Sequence, residues 1–144
     1  MDVLIQAFAC MAAACFFGLI LHQPKSTLHF TALIGLLGYA VFTLIGGGIL
    51  AYFLSSLTVG VLCELTARAV QRTTTLFLIS SIIPLVPGLG LYRSMMALAG
   101  QDYQNALAIG IETLAGIGAI ALALTVATAL FNSFKPAQAK NSQD

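Results

Sequence analysis

Arg93 and Glu112 are charged residues in an unusual place. Both lie within or beside apolar stretches that are long enough to span a membrane. A charge at the centre of a membrane helix costs about 2.5–3.5 kcal/mol on insertion scales, so it needs a partner or a wet cavity. Glu112 has no basic residue three or four positions away. We expect it either to be a structural partner of Arg93 or to act as a proton- or substrate-linked site.

A second charged pair, Glu64 and Arg68, has a different expected role. Glu64 precedes Arg68 by one helical turn, the order that favours an i,i+4 ion pair. Arg68 can extend toward the membrane interface, so the pattern predicts a structural ion pair there. The same four-residue row begins at Ser56 and Gly60, and small residues at this spacing are typical of helix contact faces in membrane bundles.

Prolines and glycines interrupt the apolar segment that leads to Arg93. Two prolines three residues apart cannot lie in a continuous helix without a kink or a break. Lipid offers no partner for freed backbone groups, so such a break is tolerated where protein buries it or a cavity wets it. In transporters, interrupted helices often mark the substrate path. We therefore predict a substrate path at Pro84, Pro87, Gly88, Gly90, Tyr92, Arg93 and Glu112. The sequence leaves open whether this segment crosses the membrane or re-enters.

Composition assigns the chain to the integral membrane proteins. Of its 144 residues, 59% are hydrophobic and 8% are charged, against about 25% charged in soluble domains. The net charge of +1 gives no electrostatic basis for binding nucleic acid. The three cysteines lie in apolar runs without metal-ligand spacing, so neither a metal nor a cofactor is predicted.

Five apolar segments are long enough to cross the membrane, at about 20 residues per helix. The sequence thus predicts an all-α polytopic membrane helix bundle of about five transmembrane helices, the fourth broken by Pro and Gly. Asp102, which follows Gly100, is expected to cap the last helix. We place a single transmembrane domain at 1–131 and a polar, disordered cytoplasmic tail at 132–144. The expected helices are 3–21, 29–45, 49–69, a broken helix that starts near 75, breaks at 84–90 and resumes at 91–99, and 103–131.

The basic residues predict an orientation in the membrane. With five spans, Arg93 lies on one side and all the other basic residues lie on the opposite side, namely Lys25, Arg68, Arg72, Lys135 and Lys140. Cytoplasmic loops carry the excess of Lys and Arg, so the five-charge side is expected to be cytoplasmic. This arrangement puts the N-terminus outside and the C-terminus inside.

Several short motifs follow one another in a distinctive order. The segment 83–93 reads IPLVPGLGLYR and precedes MMAL at 95–98 and GQDY at 100–103. Upstream stand FTALIGLLGY at 30–39 and FLSSLTVG at 53–60. Over about residues 17–131 this order resembles the threonine/serine exporter family, more narrowly its small-subunit, YjjB-type half. The set Pro84, Pro87, Gly88 and Tyr92 is the most specific part of the resemblance.

The resemblance implies a multi-pass protein of the bacterial inner membrane that exports small polar metabolites. The expected substrates are threonine/serine-type amino acids or small dicarboxylates such as succinate. It also implies that a chain of this kind works with a larger exporter subunit, as a hetero- or homo-oligomer embedded in membrane lipid. The family match does not identify catalytic residues.

Two alternatives to an exporter subunit stay open. The first alternative is a non-transporting membrane scaffold or assembly protein, whose polar groups serve helix packing. The second is a self-sufficient homo-oligomeric channel. A membrane enzyme is disfavoured, because the spans contain no paired carboxylates, Ser/His constellation or metal-ligand cluster. We therefore expect no enzymatic activity.

Overall fold

The computed structural model describes residues 2–133, and within that range the chain is helical without strands. Residues 134–144 lie outside the described range, and with them most of the predicted tail. The last helix ends at Ser133, so the first two residues assigned to the tail belong to this helix instead. The helices are α1 (Asp2–Ile20), α2 (Leu28–Ile45), α3 (Ile49–Val70), α4 (Thr74–Ile82), α5 (Gly88–Ala99) and α6 (Tyr103–Ser133), with single 3-10 turns at Lys25–Thr27 and Ile83–Leu85.

Helix length and composition confirm the predicted all-α polytopic membrane bundle. Among the described residues, three helical segments are long and apolar enough to cross a membrane: Lys25–Ile45, Ile49–Val70 and Tyr103–Phe131. The fourth predicted helix is a pair of helical segments, Thr74–Leu85 and Gly88–Ala99, bent by 47° at the Pro/Gly break. The first predicted span is a shorter apolar helix, Ile5–Ile20. By length the bundle therefore has three spans, or four with the bent pair, and a count of five requires α1 as well.

The contacts between α3 and α6 fix the path of the broken helix. A Cβ atom placed on Gly116 would lie 3.0 Å from the Tyr52 ring, and one placed on Gly60 would lie 2.8 Å from Cβ of Ala127. Residue numbers thus rise together along both helices, so α3 and α6 run parallel. The chain must therefore return from the end of α3 to the start of α6 through α4 and α5. The bent pair crosses the bundle, rather than entering and leaving at the same end.

The turn between α2 and α3 requires glycine. Gly46, Gly47 and Gly48 have φ angles of 87°, 86° and 86°, a region that residues with a side chain rarely adopt. Three consecutive residues in this conformation reverse the chain directly, so α2 and α3 pack as an antiparallel hairpin.

The best-packed part of the bundle lies where α2, α3 and α4 meet. Phe77 of α4 is fully buried there against Val59 and Cys63 of α3. Ser81 of α4 donates a hydrogen bond of 3.3 Å to the backbone oxygen of Thr31 in α2. These contacts anchor the first half of the broken helix in the interior.

The second half of the broken helix packs very differently. In α5, none of the described residues is buried. It is held to α6 by Ser94, whose hydroxyl donates a hydrogen bond of 2.8 Å to the backbone oxygen of Ala106. Asp102 caps α6 as predicted, since its Oδ1 accepts from the backbone N–H of Asn105 at 3.3 Å. The α5–α6 hairpin is thus closed at its turn and open on its outer side.

Candidate functional site

The break between α4 and α5 is a compact turn. Its 3-10 segment, Ile83–Leu85, has Pro84 near its start, where proline is tolerated. The backbone N–H of Val86 donates to the oxygen of Ile83 at 3.2 Å, and that of Gly88 donates to the oxygen of Val86 at 2.7 Å. The break therefore satisfies part of its own hydrogen bonding. It leaves fewer free N–H groups than a simple interruption of a helix would.

Arg93 and Glu112 line one cavity of about 350 Å³ beside this break. We call it the hinge cavity. Among the described residues, the salt bridge within 4.0 Å is that of Glu64 and Arg68, so Arg93 and Glu112 share the cavity without a direct ion pair. One positive and one negative group therefore face a common space. The full lining is Tyr52, Pro87, Leu89, Gly90, Arg93, Ile109, Glu112 and Thr113.

A second, smaller cavity of about 200 Å³ lies against the other side of the break. The rings of Phe42 and Tyr52 line it, with their centroids 4.8 Å apart. Tyr52, Pro87 and Leu89 line both cavities, so the two spaces are neighbours. The rest of this aromatic cavity is formed by Tyr39, Pro84, Leu85, Val86, Pro87, Gly88 and Leu89.

Close backbone approach shapes the wall of the hinge cavity. A Cβ atom on Gly90 would overlap the side chain of Thr113. The glycine therefore lets α5 approach α6 at this level, next to the turn that carries Arg93. The hydroxyl of Thr113 donates a hydrogen bond of 2.6 Å to the backbone oxygen of Ile109. Its proton is therefore engaged within α6.

The sequence of this chain matches a known protein family. The family described as "Threonine/Serine exporter, ThrE" matches residues 6–130. The chain belongs to the threonine/serine exporter family. Neither the curated proteins nor the solved structures provide a match. The family match covers the whole hinge cavity, both sides of the break and the helices that hold them.

The predicted site residues differ in which cavity they line. Gly90, Arg93 and Glu112 line the hinge cavity, and Pro87 lines both cavities. Pro84 and Gly88 line the aromatic cavity. Tyr92 lines neither cavity and is 60% exposed on the outer side of α5.

Sequence reasoning missed Tyr52 and Thr113 at this site. Tyr52 stands four residues before Ser56, so it extends the small-residue row of α3 by one turn. That row marked a contact face, and its extension would have located Tyr52 on the same face as Ser56. No comparable signal distinguishes Thr113 from the other threonines of the chain.

Glu64 and Arg68 lie far from the hinge cavity, near the opposite end of α3. Arg68 Nε is 3.9 Å from Glu64 Oε2. The guanidinium also donates a hydrogen bond of 2.7 Å to the backbone oxygen of Phe131, and it lies 4.9 Å from the centre of the Phe131 ring. Arg68 therefore ties the end of α3 to the end of α6. Its role there is structural, since it links the ends of two parallel helices.

Proposed function

We propose that the chain is the membrane subunit of an exporter for small hydroxy amino acids such as threonine and serine, and that the hinge cavity binds them. The observation that carries this proposal is that Arg93 and Glu112 line one cavity beside the broken helix. Family membership supports the transport activity. Broken helices at the centre of transporters commonly hold the substrate.

The charges of the hinge cavity favour a zwitterion. Arg93 offers a guanidinium that binds a carboxylate through paired hydrogen bonds, and Glu112 accepts from an ammonium. A dicarboxylate such as succinate would bring a second negative charge toward Glu112 and be repelled. The cavity volume of about 350 Å³ lies within the range of about 300–1,000 Å³ typical of small-molecule sites. We therefore rank amino acids above dicarboxylates as substrates.

Two roles for Glu112 are compatible with this arrangement. As a carboxylate it binds the substrate ammonium, while as a neutral acid it carries a proton that is coupled to transport. The first role predicts loss of substrate affinity when the charge is removed. The second predicts loss of proton coupling with affinity retained. Transport under an imposed pH gradient distinguishes the two.

The open face of α5 supports the proposal of a larger partner subunit. Arg93 and Glu112 are exposed in the isolated chain, and charges exposed to hydrocarbon are costly. A second polypeptide that covers α5 would remove them from lipid and complete the hinge cavity. We propose the larger exporter-type subunit as that polypeptide, in the bacterial inner membrane, with the N-terminus of the present chain outside. A second copy of this chain is the alternative cover.

The experiment that tests this function is flux in proteoliposomes. Labelled threonine, serine and succinate are offered to vesicles that contain the chain alone or together with the larger subunit. We expect flux of the two amino acids in the presence of both subunits. Flux from the chain alone would instead favour a homo-oligomeric channel. A stable complex without flux of any of the three would replace the exporter by the scaffold alternative.

Single substitutions test the hinge cavity itself. Arg93→Gln and Glu112→Gln each remove a charged hydrogen-bonding partner, which is worth about 1.5–3 kcal/mol. We expect half-saturating threonine to rise by about tenfold to a hundredfold, or flux to be lost. Arg72→Gln, in the exposed α3–α4 loop, and Asp102→Asn, in the exposed α5–α6 turn, are the matched controls. Normal transport by both hinge-cavity variants at normal expression would exclude this site.

A further inference from the structure

A third cavity lies at the other end of the seam between α3 and α6. Its volume is about 480 Å³. We call it the threonine chamber, because five of its lining residues are threonines. The five threonines are Thr73, Thr74, Thr75, Thr125 and Thr128, and Glu64 also lines the cavity. The carboxylate belongs to α3, and the threonines come from the start of α4 and the last part of α6.

The polar side chains of the threonine chamber offer hydrogen-bond acceptors. Thr125 donates its hydroxyl proton to the oxygen of Ala121 at 2.8 Å, and Thr128 donates to the oxygen of Leu124 at 3.0 Å. Their lone pairs are therefore free to accept while their protons are engaged. Glu64 contributes a carboxylate that is 13% exposed. A solute that carries an ammonium or a hydroxyl group suits such a lining.

Arg68 does not remove Glu64 from this role. The contact between the two side chains is 3.9 Å, longer than a charge-assisted hydrogen bond of about 2.7–2.9 Å. The guanidinium is held instead by the oxygen and the ring of Phe131. Glu64 therefore retains acceptor capacity toward the chamber.

One face of α3 joins the threonine chamber to the hinge cavity. Tyr52, Ser56, Gly60 and Glu64 follow one another every four residues, so they lie along one side of the helix. Tyr52 lines the hinge cavity and Glu64 lines the chamber, about 18 Å apart at 1.5 Å per residue. Between them, Ser56 is fully buried and its hydroxyl lacks a hydrogen-bond partner among the described residues. Ser56 thus places a polar group on this face, between the two cavities.

Resting on the proposed function, we infer that the threonine chamber is a second binding site for the same ammonium-bearing hydroxy amino acid. Glu64 binds the ammonium, and the hydroxyls of Thr73, Thr74, Thr75 and Thr125 accept hydrogen bonds from the solute, while Thr128 lines the chamber beside them. The chamber volume of about 480 Å³ is that of a small-molecule site and far exceeds the space of a bare ion.

Protection from thiol labelling tests this inference on the full chain with its partner subunit. The native cysteines are first replaced, and Thr128→Cys is introduced together with a small charged methanethiosulfonate reagent. We expect serine or threonine at about ten times its dissociation constant to slow labelling by about tenfold, because only unoccupied protein reacts. Thr58→Cys is the matched control. Thr58 also donates to its own helix, at 2.8 Å, but lines neither the hinge cavity nor the threonine chamber. Its labelling should not respond to the amino acid.

The Glu64→Gln substitution in the same background should abolish protection at Thr128→Cys while labelling itself continues. Protection by sodium but not by the amino acids would overturn the inference, and so would unprotected labelling. Flux is measured on the same vesicles. Flux without protection rejects the second site alone, whereas protection without flux in any sample rejects the exporter function and keeps the binding site.

Discussion

At the scale of single residues, we propose that the chemistry of this chain depends on a few charged groups that line its cavities. Arg93 and Glu112 face one cavity without touching. Glu64 is shared between an arginine and a threonine-lined chamber. Separated opposite charges leave room for a ligand that carries both signs, whereas a closed ion pair would need to be broken first. The hinge cavity therefore has the arrangement expected of a binding site. The Arg68 contacts have the arrangement expected of a structural link between two helices.

Gly90 tests whether close packing of α5 on α6 sets the shape of the hinge cavity. Its substitution by alanine would overlap the side chain of Thr113. Overpacking of this kind costs about 1–3 kcal/mol. We expect Gly90→Ala to lower the thermal unfolding temperature of the purified chain in detergent, as measured by differential scanning fluorimetry. Gly118→Ala is the control, because nothing lies within 4 Å of the added atom.

The control should be neutral or stabilising, because alanine inside a helix is favoured over glycine by about 0.5–1 kcal/mol. Equal unfolding temperatures for the two variants would show that α5 is not held closely against α6. The hinge cavity would then have no fixed wall on that side.

At the scale of elements, hydrophobic length and breakers predicted the ends of the unbroken helices closely, but the break is shorter than the predicted 84–90, since α5 begins at Gly88 and not at 91. The expected 29–45 and 49–69 agree with α2 and α3 to within one residue. The two prolines located the break because they remove N–H groups wherever they stand. The sequence could not show that α3 and α6 run side by side, because this depends on contacts between residues more than 60 positions apart, such as Arg68 and Phe131. Tyr52 was missed at the site for this reason.

The seam between α3 and α6 yields a reciprocal prediction. Gly60 lies against Ala127, where an added Cβ atom would be 2.8 Å from the alanine methyl group. Gly60→Ala should destabilise the bundle by about 1–3 kcal/mol through overpacking. Adding Ala127→Gly should restore much of the loss, because the methyl group then moves from one helix to the other. Unfolding free energies of the parent, both single variants and the double variant form a cycle that isolates the contact. A coupling energy near zero would contradict the parallel packing of these helices.

At the scale of the whole molecule, parallel packing of α3 and α6 determines how many times the chain crosses the bundle. The hydrogen bond from the Arg68 guanidinium to the backbone oxygen of Phe131 shows that the C-terminal ends of α3 and α6 lie side by side. The α3–α4 loop with Arg72 and the end of α6 therefore share one end of the bundle, and the α5–α6 turn lies at the other. Lys25, Arg68 and Arg72, three of the basic residues that predicted the orientation, thus lie at one end of the bundle, and we propose that this end faces the cytoplasm. The threonine chamber lies at this basic end, and the hinge cavity lies farther from it.

Two exposed turn residues test this arrangement in cells. Ser26 lies between α1 and α2, and Gln101 between α5 and α6. In a background without native cysteines, Gln101→Cys should react with a membrane-impermeant maleimide in intact spheroplasts. Ser26→Cys should react only after permeabilisation, because the positive-inside rule predicts that the basic end faces the cytoplasm. Reversed labelling would show that the bundle is inverted in the membrane. Labelling of both residues from the same side would mean that the bent pair enters and leaves at one face. That result would remove the route by which the two proposed sites connect opposite sides of the membrane.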